Sequence, residues 1–149
     1  MRVPETPSAI SEEWVEYVLM QYATRDNLRT SINVNHIKVE NALNTDDGFD
    51  GQLAKVYVKA TVSEESAIQK EEEYHLIVKI TEADSSCRLL NCKFGNPHRE
   101  YIAYSNAFYQ LNRFQEKIGN NEYFLKIPNY YYGKCINDIF ILVMDNLKP

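Results

Sequence analysis

Two charged residues stand where charge is costly. Lys79 interrupts Leu76-Ile77-Val78-Lys79-Ile80, a run otherwise suited to a buried strand. Glu100 shares a helical face with Tyr104, Phe108 and Leu111, at i+4, i+8 and i+11. A carboxylate on an apolar face is expensive unless it is paired and hydrogen-bonded. Each residue has an ordinary reading by itself. A strand lysine can snorkel off a sheet edge, and a glutamate in a first helical turn complements the dipole while reaching water. Together they allow a different solution, in which one strand–helix ion pair removes both costs.

A third feature precedes them. Asp47-Gly48-Phe49-Asp50-Gly51 is punctuated like a turn and leads into Gln52-Leu53. Glycines let a backbone approach a phosphate closely, and successive amides can cradle an anion; a plain hairpin turn explains the same residues. Asp46 and Asp50 invite a calcium reading, but the EF-hand pattern fails: its third position is Gly48 and its twelfth is Tyr57. Hydrolase chemistry has no GxSxG elbow to stand on. Cys87, Cys92 and Cys135 lack the fourth ligand of a zinc set, so reduced thiols and no metal are expected.

These residues need elements to hold them. Ser11 is placed to cap a helix from about 12 to 23, with Glu12 and Glu13 in its first turn and Trp14, Val18 and Tyr22 on one stripe. A β-leaning stretch follows, in which Ile37 and Val39 alternate with His36 and Lys38. From Leu53, Val56, Val58, Ala60 and Val62 face one way, and Lys55, Tyr57, Lys59 and Thr61 the other. A charged connector from Ser63 to about Glu73 leads to a second alternating strand, with Tyr74, Leu76, Val78 and Ile80 on one face; the two make an antiparallel hairpin. Pro97 can open a helix that runs to Ile118, with Gly119 as its stop. An aromatic strand, Asn129 to Gly133, and a turn from Lys134 to Asp138 follow. Ile139 to Met144 is apolar on both faces and reads as a central, fully covered strand. The predicted fold is α+β: a five-stranded antiparallel sheet with one long packed helix, preceded by an N-terminal helix.

At 149 residues the chain fits one domain with a core that needs no staples. Sixteen basic against 21 acidic residues give a net charge of −5, which argues against non-specific nucleic-acid binding. The aromatic crowding from Phe94 to Tyr132 therefore reads as core packing, not as a base-stacking platform. The longest apolar run, Ile139 to Met144, is far too short to span a bilayer, and the start of the chain has no signal-peptide core. A cytoplasmic protein with no membrane or nucleic-acid partner is expected.

The order of these motifs resembles the N-terminal lobe of the CHK kinase-like, or ecdysteroid-kinase-like, family, relatives of choline and aminoglycoside kinases within the protein-kinase-like fold. Asp47-Gly48-Phe49-Asp50-Gly51-Gln52-Leu53-Ala54-Lys55-Val56 is similar to the family's nucleotide loop and following strand. Leu76-Ile77-Val78-Lys79-Ile80 looks like its strand with the ATP-anchoring lysine. Phe94, Arg99-Glu100-Tyr101 and Tyr104 resemble its helix signature; Ile127-Pro128-Asn129-Tyr130-Tyr131-Tyr132 resembles its P-x-x-Y-Y strand; and Ile141-Leu142-Val143-Met144-Asp145-Asn146-Leu147 resembles the segment entering its hinge. There are departures: Asp46 stands where a first loop glycine is expected, and Asp145-Asn146 replaces a Glu-Asp pair.

The resemblance implies an N-terminal helical extension over 1–31 and a kinase-like lobe over 32–149. It implies an ATP site at Lys79, Glu100, Gly48, Phe49, Gly51, Leu53, Asp145 and Leu147, with Mg2+ only if a C-terminal lobe were present. In a complete protein the reaction would be phosphoryl transfer from ATP to a hydroxyl of a small molecule. The family's catalytic and metal-binding aspartates belong to the C-terminal lobe, so residues 1–149 by themselves are expected to carry no catalytic residue and no turnover. A non-catalytic binding or interaction domain derived from such a lobe is the alternative. An exposed apolar patch is expected beneath the Ile139–Met144 strand and around the hinge.

Overall fold

Ser11 starts the first helix as its side chain allows. Its hydroxyl accepts the Trp14 backbone N–H at 3.2 Å, and its carbonyl accepts that of Val15, which satisfies amides that a helix start leaves without intrahelical partners. This helix, α1, spans Glu12–Arg25 and buries Trp14, Val15, Val18, Leu19 and Ala23. The computed structural model describes residues 1–25, 30–42, 51–64, 69–82, 96–119, 125–136 and 139–147.

Among the described residues five strands follow: β1 (Thr30–Asn41), β2 (Gln52–Glu64), β3 (Gln69–Glu82), β4 (Tyr130–Ile136) and β5 (Ile139–Asp145). They form one antiparallel sheet in the order β1-β2-β3-β5-β4. The last strand in sequence is thus interior, and its residues Phe140, Ile141, Leu142, Val143 and Met144 are all buried. The helical rod between β3 and β4 has three parts: α2 (Asn96–Ile102), a π-helical segment (Ala103–Phe108) and α3 (Tyr109–Ile118). Ile102 and Phe108 both keep right-handed helical backbone, so the rod is continuous across its junctions.

One face of the sheet is covered by α1, and the other is covered over β5 and β4 and open over β2. On the first, Ala54, Val56, Val58, Ala60, Leu76, Val78, Ile80, Ile141 and Val143 pack against α1. Period-two alternation turns Leu53, Lys55, Tyr57, Ile77, Lys79, Leu142 and Met144 to the other, where α2 packs against β5 and the π segment against β4. A single core cluster joins α1 to β1, β2, β3, β4 and β5.

The expected fold class is the observed one, with local corrections. The charged stretch Ser63–Glu73 is not mostly connector: β2 runs to Glu64 and β3 starts at Gln69. Glu73 of this stretch sits on an exposed strand side, where it forms a cross-strand ion pair with Lys59 (3.3 Å). Lys134, Cys135 and Ile136 continue β4 and pair with β5; they are not turn. The single expected helix contains a π segment. Its end is as read: Gly119 adopts φ +67°, the left-handed stop that glycine reaches most easily. Among the described residues no apolar patch lies beneath β5, because Phe140 to Met144 are all buried. Among the described residues the large exposed apolar ones are Ile102, Phe114 and Ile118 on the helical rod, Met1, Leu125, and Leu147 past the end of β5.

Candidate functional site

Register builds the site. Leu53 on β2 and Leu142 on β5 flank Lys79 on β3 as one cross-strand row. The next row is Lys55, Ile77 and Met144, and beyond it Tyr57 stands opposite His75. All project from the face away from α1.

On that face Lys79 Nζ donates to Glu100 Oε1 of α2 in a direct ion pair, the two side chains 23% and 31% exposed. Lys79 therefore does not snorkel to water, and Glu100 is not a solvated first-turn acid. Glu100 reaches the strand because the next residue seats the helix: the Tyr101 ring meets Tyr130 edge-on at 6.3 Å and lies against Gly133 of β4. Burial, and then the Glu100 charge, raise the Tyr104 hydroxyl above the usual tyrosine range.

The far end of the rod is tied to the chain entering β4. Gln115 holds Leu125 twice, its amide N–H donating to the Leu125 carbonyl at 3.3 Å and its Oε1 accepting the Leu125 N–H at 2.8 Å. Asn112 donates to the Ile127 carbonyl (3.4 Å) and to Asn129 Oδ1 (3.2 Å). Asn129 is in turn joined twice to Asp145: Asp145 N–H donates to the Asn129 carbonyl at 3.0 Å, and Asp145 Oδ2 accepts the Asn129 N–H at 3.2 Å.

This arrangement sorts the residues expected to bind nucleotide. Lys79 and Glu100 are together, with Leu53 beside Lys79. Gly51 precedes β2 with φ +149°, a backbone conformation that favours glycine. Gly48 and Phe49 lie outside the described residues, as do Asp46, Asp50, Cys87, Cys92 and Phe94. Asp145 faces the opposite way. Its carboxylate lies beside Tyr131 on the α1 side, where burial and that charge hold the Tyr131 hydroxyl far above the usual range. The Asp145 and Asn146 amides are already donated, to Asn129 and to the His75 carbonyl (2.8 Å). Leu147, 49% exposed, is left to present an amide at the exit of β5.

The structure adds residues that the sequence did not single out. A cleft of about 400 Å³ opens at this end of the sheet face, lined by Lys38, Glu40, Lys55, Tyr57, His75 and Asn146 among others. The Tyr57 and His75 rings lie 5.0 Å apart in it. Its signal in the sequence was the exposed alternation of β2 and β3, which names a face but not what gathers on it.

The chemistry available is anion binding. Lys79 supplies a positive charge held in place by Glu100, Leu53 and Ile77 supply apolar surface, and the end of β5 supplies an amide. Among the described residues no group of three or more His, Cys, Asp or Glu side chains converges as a metal site, and no helix is long and apolar enough to cross a membrane. Comparison of the chain with protein-family models, with curated proteins and with solved structures returns no match.

Proposed function

We propose that the chain is the N-terminal, ATP-binding lobe of a cytoplasmic small-molecule kinase of the ecdysteroid or choline type, which in complete form transfers phosphate to a hydroxyl. The observation that carries this reading is the Lys79–Glu100 ion pair on the open face of a five-stranded sheet. A lysine held by a helix carboxylate is a fixed positive charge suited to phosphate oxygens. The row order supports the same orientation. Phosphates would lie at Lys79 and Gly51, and the base would lie over Ile77 towards Leu147. Residues Lys79, Leu53, Gly51 and Leu147 would contact the nucleotide, and Glu100 would position Lys79.

Calorimetric titration of the 1–149 chain with ATP tests this. Saturable binding is expected, weakened at least about tenfold by Lys79→Ala, a loss of about 1.4 kcal/mol, with circular dichroism unchanged. No binding by the wild-type chain, or binding indifferent to Lys79, overturns the proposal. The competing reading, a non-catalytic interaction domain, is favoured by the exposed apolar residues Ile102, Phe114 and Ile118 on the rod.

A further inference from the structure

The two edges of the sheet are β1 and β4, and side chains of α1 bond to backbone groups at part of each. Its last residue, Arg25, donates to the Tyr130 and Tyr131 carbonyls of β4 at 3.1 and 2.7 Å. On the other edge Glu16 Oε2 accepts the Val34 N–H at 2.9 Å, and Met20 Sδ accepts the Ile32 N–H at 3.3 Å. These bonds stop at the register shift between Val34 and His36.

Beyond the shift the ladder leaves an open edge. The Ala42 N–H donates to the Leu53 carbonyl at 2.8 Å. Hydrogen-bonded and non-hydrogen-bonded pairs alternate along an antiparallel ladder. Glu40–Lys55 and Lys38–Tyr57 are therefore hydrogen-bonded pairs, and Val39–Val56 and Ile37–Val58 are not. The N–H and C=O groups of Ile37, Val39 and Asn41 thus point outward, and no described residue pairs with them. Such an edge is a template for another strand.

The side chains along it choose the strand. Ile37 and Val39 turn towards the core, while Lys38 and Glu40 stand exposed on the opposite face as an ion pair of 2.6 Å. We propose that the edge pairs with a second copy of itself, antiparallel about a twofold axis through Val39, so that two sheets become one. Val39 then faces the partner's Val39 and Ile37 faces the partner's Asn41, each pair exchanging backbone hydrogen bonds. Lys38 faces the partner's Glu40 and Glu40 faces the partner's Lys38. These are non-hydrogen-bonded pairs, where facing side chains approach most closely. Moving the register by two residues either way sets Lys38 against Lys38 or Glu40 against Glu40, and moving it by one turns the apolar residues to the wrong face. One register is neutral throughout, and an isologous interface is self-complementary in this sense.

Sedimentation velocity of the 1–149 chain over a concentration series tests the proposal. A reversible monomer–dimer equilibrium is expected. Lys38→Glu and Glu40→Lys should each weaken it about tenfold or more, since two symmetry-related attractions become repulsions. An equimolar mixture of the two variants should pair again, because each now carries the other's complement. Val39→Pro, at an outward amide where no ladder bond is lost, should leave monomer. A wild-type chain that stays monomeric throughout, as it would if this edge served a different protein, overturns the proposal. So does a dimer indifferent to both charge reversals, or a mixture that fails to pair. The charge variants change only exposed side chains, so they decide the matter even if Val39→Pro disturbs the fold.

Discussion

Tyr101 and Gly133 are fitted to each other: a β-carbon at position 133 would lie 2.7 Å from the Tyr101 ring. Gly133 is needed there for close approach, since its backbone angle is not in the left-handed region. The contact sets the height of α2 above β4, and so the reach of Glu100 to Lys79. Gly133→Ala is expected to destabilise the fold by about 1–3 kcal/mol through overpacking against a rigid ring. Urea denaturation measures the loss, and ATP titration should show weaker binding as the helix is displaced. Tyr101→Leu, by giving way, should recover much of the stability in the double variant.

The Lys79–Glu100 pair is coupled to stability as well as to binding. Its side chains are less than a third exposed, so solvent screening is incomplete but present. Glu100→Gln should cost about 1 kcal/mol by denaturant midpoint. A double-mutant cycle with Lys79→Met should return a coupling of about 0.5–1 kcal/mol. Additive losses would mean that the two residues stabilise independently.

Arg25 joins three elements at one guanidinium. It donates to the Tyr130 and Tyr131 carbonyls and lies over the rings of Tyr22, Tyr109 and Tyr130, at 5.6, 5.3 and 4.8 Å. Arg25→Met keeps the stem and removes the donors. It should destabilise by about 2 kcal/mol, because two part-buried carbonyls lose charged partners. Hydrogen exchange should report the opening locally, fastest in β4 and the end of α1.

Stability should fall at alkaline pH. Burial is the first cause that lifts Tyr74, Tyr130 and Tyr131 well above the ordinary tyrosine value. In the unfolded chain they ionise near pH 10; in the fold they stay protonated beyond it. Above about pH 10 the folded state therefore holds more protons, and unfolding free energy drops as pH rises. Below that pH the contribution is fully present. Denaturation at pH 8 and pH 11 should show the drop, and Tyr131→Phe should reduce its slope. A slope unchanged in Tyr131→Phe would mean that this hydroxyl ionises in the fold.

The alternation of Val56, Val58, Ala60 and Val62 against Lys55, Tyr57 and Lys59 already names two strand faces, because a period of two has only one reading. Ser11 and Gly119 likewise mark helix ends through chemistry local to each. Lys79 and Glu100 were legible as a pair because each is anomalous within its own element, and two anomalies of opposite charge can cancel. What no local pattern contains is register and neighbourhood. The apolar run Ile139–Met144 requires cover, but only the tertiary structure inserts it between β3 and β4. The resemblance puts Asp145 at the nucleotide site, but the sheet turns its carboxylate to Tyr131 and commits its amide to Asn129. The seat of Tyr101 on Gly133 and the bonds from α1 to both sheet edges join residues distant in sequence. Their energies arise only once the chain has paid the entropy of bringing them together, and no short window of the sequence records that.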